Sequence, residues 1–198
     1  IEMPQPGPLA EPALRQIPRR APGPGEIELR MEGIGLNVKD PMKVLGVLGE
    51  AELAGTHFGL SLGMEGMGVV TRIGPGVSGF TVGELCFVGV PGMARRYVTT
   101  PVDAGAITPG HGLTLEAYGS VVVLMTAHYA LKHAAGVQSG DWVLVAGGAG
   151  GVGMAAVQIA AKAGARVIAT ASTRQRADLL RQPMRYAGSP AGTEPTLW

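Results

Sequence analysis

Apolar and charged residues alternate strictly along Glu26-Ile27-Glu28-Leu29-Arg30-Met31-Glu32. That is the period-two pattern of a half-buried strand, and it places Ile27, Leu29 and Met31 on the core face. Further β-prone runs cover 68–73, 81–88 and 95–99, divided by turn clusters such as Gly74-Pro75-Gly76 and Pro91-Gly92. Strands spaced this closely, with no helical period between most of them, predict an antiparallel β-rich unit over residues 1–112. The pattern changes near Thr114, where a Thr cap opens a helical stretch running through Lys132. Trp142-Val143-Leu144-Val145-Ala146 is then a continuous apolar run, as in a parallel strand buried on both faces. After a glycine-rich turn, Val152, Ala156, Ile159, Ala160 and Ala163 recur on one side of a helix that Gly164 closes. Arg166 to Ala171 forms a second apolar strand, and Gln175 to Leu180 opens another helix. Strand, helix and strand in this order make a parallel unit with a right-handed crossover, so residues 113–181 are predicted to be α/β. Residues 182–198 lack either period and are expected to be an irregular tail.

Composition narrows the possible partners. Sixteen Lys and Arg against 15 Asp and Glu leave a net charge of +1, which gives no basis for a nucleic-acid surface built on clustered cations. The single cysteine, Cys86, excludes an internal disulfide and a Cys-rich zinc site, and it suits a reducing compartment. The longest apolar stretch, 120–127, is far shorter than the roughly 20 residues that span a bilayer, so no membrane partner and a cytoplasmic location are expected. The chain starts at Ile1 and places seven of its 15 prolines by Pro24, as expected of a piece of a longer polypeptide that begins in extended, linker-like sequence.

Glycine makes up 32 of the 198 residues, and one cluster has a specific arrangement. Gly148-Ala149-Gly150-Gly151-Val152-Gly153 has the G-x-G-x-x-G spacing, preceded by Gly147. It directly follows an apolar strand and opens a helix, and a second strand ends about 20 residues later. A pyrophosphate can approach backbone only where no Cβ intervenes, and a helix N-terminus offers N–H groups and partial positive charge. The competing reading is a turn whose glycines serve only close helix packing. Past the second strand, Ala171-Ser172-Thr173-Arg174-Gln175-Arg176 holds hydroxyls and two guanidinium groups, with no acid before Asp178. An NAD site favours an acid there for the ribose 2′-hydroxyl, whereas Arg174 and Arg176 suit the 2′-phosphate of NADPH; otherwise they are solvated charges on a new helix.

The stretches APGPGEIELRMEGIGLNVKD at 21–40, LGMEGMGVVTRIGPGVSGFTVGE at 62–84, MTAHYAL at 125–131 and the unit at 147–173 carry a resemblance. Together they resemble the medium-chain dehydrogenase/reductase superfamily, and within it the enoyl reductase domain of modular polyketide synthases. The likeness runs through about residues 20–181. It implies a GroES-like catalytic domain over 1–112 followed by an incomplete Rossmann domain over 113–181, because a whole enzyme of this type continues with further strands, a return segment and a lysine-containing loop.

Zinc-dependent members of the superfamily carry Cys where this chain has Asn37, and a His-Glu pair where it has Met64-Glu65. His57, His111, His128 and His133 show no ligand spacing, and His128 and His133, five apart, are expected on different faces of one helix. All four are read as surface or packing residues, with no metal and no metal polarisation of the substrate oxygen. The resemblance implies that NADPH delivers hydride to the β-carbon of an α,β-unsaturated acyl thioester on an acyl carrier protein, among neighbouring synthase domains. The enolate then needs hydrogen-bond donors, and the α-carbon needs a proton.

Asn37, in the segment that lies beside the nicotinamide in the family, is a candidate for orienting cofactor or substrate; its plain reading is an Asn in a strand-end turn. Val38 stands where many members carry Tyr, a proton donor linked to one α-methyl configuration. Valine is linked to the other configuration and has no proton to give. Lys39 and Asp40 read as a surface pair. Thr126 matches a position near the nicotinamide, or is simply a helical Thr. The cofactor candidates are therefore Thr126, Gly148, Gly150, Gly151, Val152, Gly153, Ser172, Arg174 and Arg176. Two other functions remain open: a zinc-independent quinone or enal reductase with the same cofactor site, and a non-catalytic remnant within a synthase.

Overall fold

The computed structural model describes Leu14, residues 16–109 and residues 121–181. They belong to two compact units that divide between Gly119 and Ser120. The expected boundary at 112/113, Thr114, His111 and the tail all lie outside the described residues.

In the first unit five strands lie side by side in the order β4 (Tyr97–Pro101), β1 (Glu26–Gly35), β2 (Glu65–Ile73), β3 (Leu85–Gly89) and β5 (Ala106–Pro109), each antiparallel to its neighbours. β5 and two short helices, α1 (Lys39–Val44) and α2 (Glu50–Leu53), have no counterpart in the sequence reading. Ile27 and Leu29 of β1 are fully buried with Val70, Cys86, Val88, Val90, Met93 and Val98, and Met31 packs against them partly buried. The other face of β1 departs from the alternation. Glu28 is 0% exposed, where strict alternation places it in solvent.

The reason is cationic cover. Arg19 donates to the Glu28 carboxylate from Nε at 2.8 Å and Nη2 at 2.6 Å, Arg72 donates from Nε at 2.9 Å and also from Nη2, and Thr71 adds its hydroxyl. Arg19 also lies 3.9 Å over the Tyr97 ring. A carboxylate so enclosed exchanges water for charge-assisted hydrogen bonds, and its pKa falls well below the ordinary range, chiefly through the Arg19 and Arg72 contacts. The same contacts fasten the proline-rich lead-in to β1 and β2. β1 also slips register between Glu28 and Leu29 and between Met31 and Gly33, bulges that bend a strand and re-aim its end.

In the second unit β6 (Trp142–Val145) and β7 (Arg166–Ala169) pair in parallel, joined through α4 (Gly151–Lys162). α3 (Val121–His128) precedes them, and α5 (Arg174–Leu180) follows. Gly164 takes φ +80° just past α4, the left-handed closure expected of it. The buried face of α4 is Ala155, Val157 and Ala160, with Val152 exposed, so the apolar stripe is rotated from the one predicted. β6 also differs from a strand buried on both faces: Val145 packs with Val157, Ala160 and Val167, while Trp142 and Leu144 are exposed. Helical cover reaches only one face of this two-stranded sheet among the described residues.

After His128 the chain widens into a π-helical turn, Tyr129–Ala134, in which Ala135 N donates to Ala130 O at 2.9 Å. A π-turn aligns residues five apart. The rings of His128 and His133 therefore meet at 5.7 Å, where an α-helix would separate them. No helix among the described residues is long and apolar enough to cross a membrane.

Candidate functional site

The glycine turn sits at the carboxyl end of β6. Gly147 is left-handed at φ +69°, and Thr170, just past β7, fixes it: Gly147 N donates to Thr170 Oγ1 at 3.0 Å and Gly148 N to Thr170 O at 2.8 Å. Gly150 is the N-cap of α4, and the first donor into the helix is Met154 N, to Gly150 O at 2.8 Å. The N–H groups of Gly151, Val152 and Gly153 precede it, as the orphan donors of a helix start do.

Gly148 and Gly153 have a reason inside the protein. A Cβ at Gly148 would meet Ala169 Cβ at 2.8 Å, one at Gly151 would meet Val123 at 3.3 Å, and one at Gly153 would meet Gly147 O at 2.3 Å. Gly150 differs. Its φ of −85° and ψ of 167° suit any residue, and its Cβ would meet only Gly147 O, at 3.4 Å. Packing accounts for Gly148 and Gly153, where a Cβ would come within 3.0 Å of its neighbours, and leaves Gly150 unexplained.

Beyond β7 the chain turns into α5 on a Thr173 cap, whose hydroxyl accepts from Arg176 N at 3.3 Å. This brings Arg176 Nη1 to 3.1 Å from Ser172 Oγ, with both side chains exposed. Arg174, at the first position of α5, is exposed as well. Thr126, on α3, donates its hydroxyl back to Val122 O at 2.7 Å, the local bond of a helical threonine, which leaves its oxygen only as an acceptor.

In the first unit the residues after β1 form a second constellation. Asn37 Oδ1 accepts from Lys39 N at 3.1 Å, an Asx-type turn that engages the oxygen of the amide and leaves its NH2 as a donor. Val38 is 71% exposed. Lys39 and Asp40 are no surface pair. Asp40 is 6% exposed, and its Oδ2 accepts from Asn37 N at 3.1 Å while Oδ1 accepts from Gly63 N at 3.0 Å. Lys43, one helical turn on, is 1% exposed and donates to Ser61 O at 2.7 Å. Burial lowers the Lys43 pKa, and the Asp40 charge opposes that shift.

Residues 23–110 match the alcohol dehydrogenase GroES-like domain family. The chain is 42% identical over 150 residues to the mycoketide-CoA synthase of Mycobacterium tuberculosis, a match that covers 76% of this chain and 3% of the synthase. Its fold matches the CurK enoyl reductase with a TM-score of 0.73 at 30% identity, over 84% of this chain and 51% of that one. A mycobacterial protein, Rv1454c, solved with NADPH, matches with a TM-score of 0.70 at 34% identity, over 88% of this chain and 52% of that one.

The chain belongs to the medium-chain dehydrogenase/reductase superfamily. Within it the chain is similar to polyketide enoyl reductases, with a GroES-like unit followed by part of a Rossmann unit. It spans about half the length of the solved superfamily members it resembles and a small fraction of the synthase. Three residues of this dehydrogenase/reductase chain escaped the sequence reading: Thr170, Asp40 and Lys43. Thr170 was counted as part of a strand, and nothing local marks a hydroxyl that bonds 23 residues back. Asn37, Asp40 and Lys43 do carry a signal, because a spacing of three puts them on one face of a helical turn.

Proposed function

We propose that the chain forms part of an NADPH-dependent enoyl reductase that reduces α,β-unsaturated acyl thioesters held on an acyl carrier protein, alongside the other domains of a polyketide synthase. The observation that carries the cofactor reading is Gly150, whose missing side chain leaves open a place that the fold itself does not need. A dinucleotide pyrophosphate explains it, since backbone donors reach phosphate oxygens only where no Cβ stands between. NADPH, when bound, supplies the hydride that the β-carbon of the enoyl group receives.

The chain's own residues divide the remaining work. The N–H groups of Gly151, Val152 and Gly153, with the positive end of α4, hold the pyrophosphate. Ser172 and Arg176, already in contact, offer a hydroxyl and a guanidinium to the 2′-phosphate, with Arg174 beside them. Thr126 is an acceptor beside the nicotinamide. Asn37 presents its NH2 to the nicotinamide or to the thioester oxygen, where it would steady the negative charge of the enolate. Val38 supplies shape and no proton, so the proton for the α-carbon comes from another acid or from water, on the face that Val38 leaves open.

The test is to mix the protein with NADPH and a 2-methyl-enoyl thioester and follow the loss of NADPH absorbance. Folded, NADPH-binding protein that turns over no thioester would overturn the enzymatic reading. A quinone consumed far faster than the thioester would instead assign the quinone reductase activity.

A further inference from the structure

α1 has an unusual anchor. The fully buried side chains of this helix are Asp40 and Lys43, both charged, while its apolar residues Met42 and Val44 are only half-buried. Its polar attachments point to one segment: Asp40 reaches Gly63 N, 23 residues away, and Lys43 reaches Ser61 O. That segment is itself fixed, since Ala94 N donates to Leu62 O at 3.2 Å and Met93 N to Gly63 O at 3.4 Å. The second oxygen of Asp40 holds Asn37 N. One carboxylate therefore joins the turn bearing Asn37 and Val38 to a rigid strand lead, and the neighbouring ammonium offsets the cost of burying its charge.

We infer that Asp40 and Lys43 are positioning residues that set where the Asn37 amide and the Val38 side chain stand, and thereby govern the geometry of reduction and the face of α-protonation. The inference rests on the enoyl reductase reading for its catalytic consequence, while the clamp itself is testable without turnover. Neither residue contacts substrate in this scheme.

The experiment compares Asp40→Asn, Asp40→Glu and Lys43→Met with the unaltered protein by amide hydrogen exchange, NADPH titration and reduction of a 2-methyl-enoyl thioester. Asp40→Asn keeps the shape but turns an NH2 toward one of the two backbone donors. Exchange at whichever of Asn37 N and Gly63 N faces that NH2 is expected to quicken by about ten-fold, the worth of one hydrogen bond. NADPH affinity should be unchanged, while kcat falls by about ten- to a hundred-fold at nearly constant KM, as expected for a misplaced group. The product should become a mixture of α-methyl epimers, which a loss of folded protein alone would not produce.

Asp40→Glu retains the charge and lengthens the arm, so it should fold even where Asp40→Asn does not, yet still lose stereochemical purity. Lys43→Met should shift the same readouts in the same direction. A folded Asp40 variant with full turnover and a single α configuration would overturn the inference, as would exchange at Asn37 and Gly63 that is unchanged in Asp40→Asn. Should the unaltered protein leave the thioester untouched while exchange at Asn37 or Gly63 quickens in Asp40→Asn, the enzymatic reading fails and the clamp stands.

Discussion

Replacing Gly150 with alanine should separate binding from folding. The new Cβ would lie 3.4 Å from Gly147 O, in a backbone conformation that alanine accepts. The folding cost is then little more than the preference for glycine over alanine at an N-cap, about 1 kcal/mol. At Gly153 the same methyl would stand 2.3 Å from Gly147 O and 2.8 Å from Gly148 Cα. Backbone has to move there, at about 1–3 kcal/mol or more, the usual range for overpacking. A methyl at 150 displaces a phosphate oxygen from its donors, and the loss of one hydrogen bond to a charged group, about 1.5–3 kcal/mol, weakens NADPH by roughly ten- to a hundred-fold. Urea unfolding and a fluorescence titration with NADPH measure the two quantities on the same samples. The expected pattern is Gly150→Ala near normal in stability and poor in binding, with Gly153→Ala poor in stability. Unchanged NADPH affinity in Gly150→Ala, or destabilisation equal to that of Gly153→Ala, would refute the argument.

Arg176→Ala should weaken NADPH by about ten-fold, the loss of one charge-assisted contact, and leave NADH unaffected; equal losses for both would remove the 2′-phosphate assignment. Glu28→Gln should destabilise the first unit by about 1–3 kcal/mol, below the full cost of breaking a buried pair because Arg19 and Arg72 remain partly in solvent. An unchanged urea midpoint would contradict the enclosure of that carboxylate. The pH dependence has a defined sign. Arg20 and the Gly23 N–H lower Glu26 to about 2 from an ordinary 4.5, and Glu28 lies lower still. Stability from a depressed carboxyl is complete above its unfolded value and is lost as pH falls toward the folded one, so the urea midpoint should drop between about pH 5 and about pH 2. Glu28→Gln should flatten that drop, and an equally steep decline in the variant would assign the acid sensitivity elsewhere.

The parts of the fold that depend on local period were legible. The alternation at Glu26–Glu32 and the apolar runs flanking the glycine turn predicted β1, β6, α4 and β7 because each pattern is a property of adjacent residues. Glu28 was misplaced because its burial depends on Arg72, 44 residues away, and alternation carries no record of such a partner. Asp40 was misread for a related cause: Lys39 lies beside it in sequence, whereas its partners in space are Asn37 N and Gly63 N. The outer faces of Trp142 and Leu144 were taken for core because hydrophobicity reports what a strand can bury and says nothing of what covers it. The glycine spacing was readable as a motif. Which glycine answers to a ligand and which to packing required the distances.

The bare side of the two-stranded sheet gives this protein a built-in optical gauge. Trp142 lies on that side at 57% exposure, with the Arg166 guanidinium 5.4 Å from its ring. An indole in that setting emits as a hydrated fluorophore. Any polypeptide laid across Leu144 and Ile168 would dry the ring, shifting its emission to the blue. With Trp198 replaced by phenylalanine, burial of that surface can thus be followed in real time, without a label, from a residue that the sequence had assigned to the core.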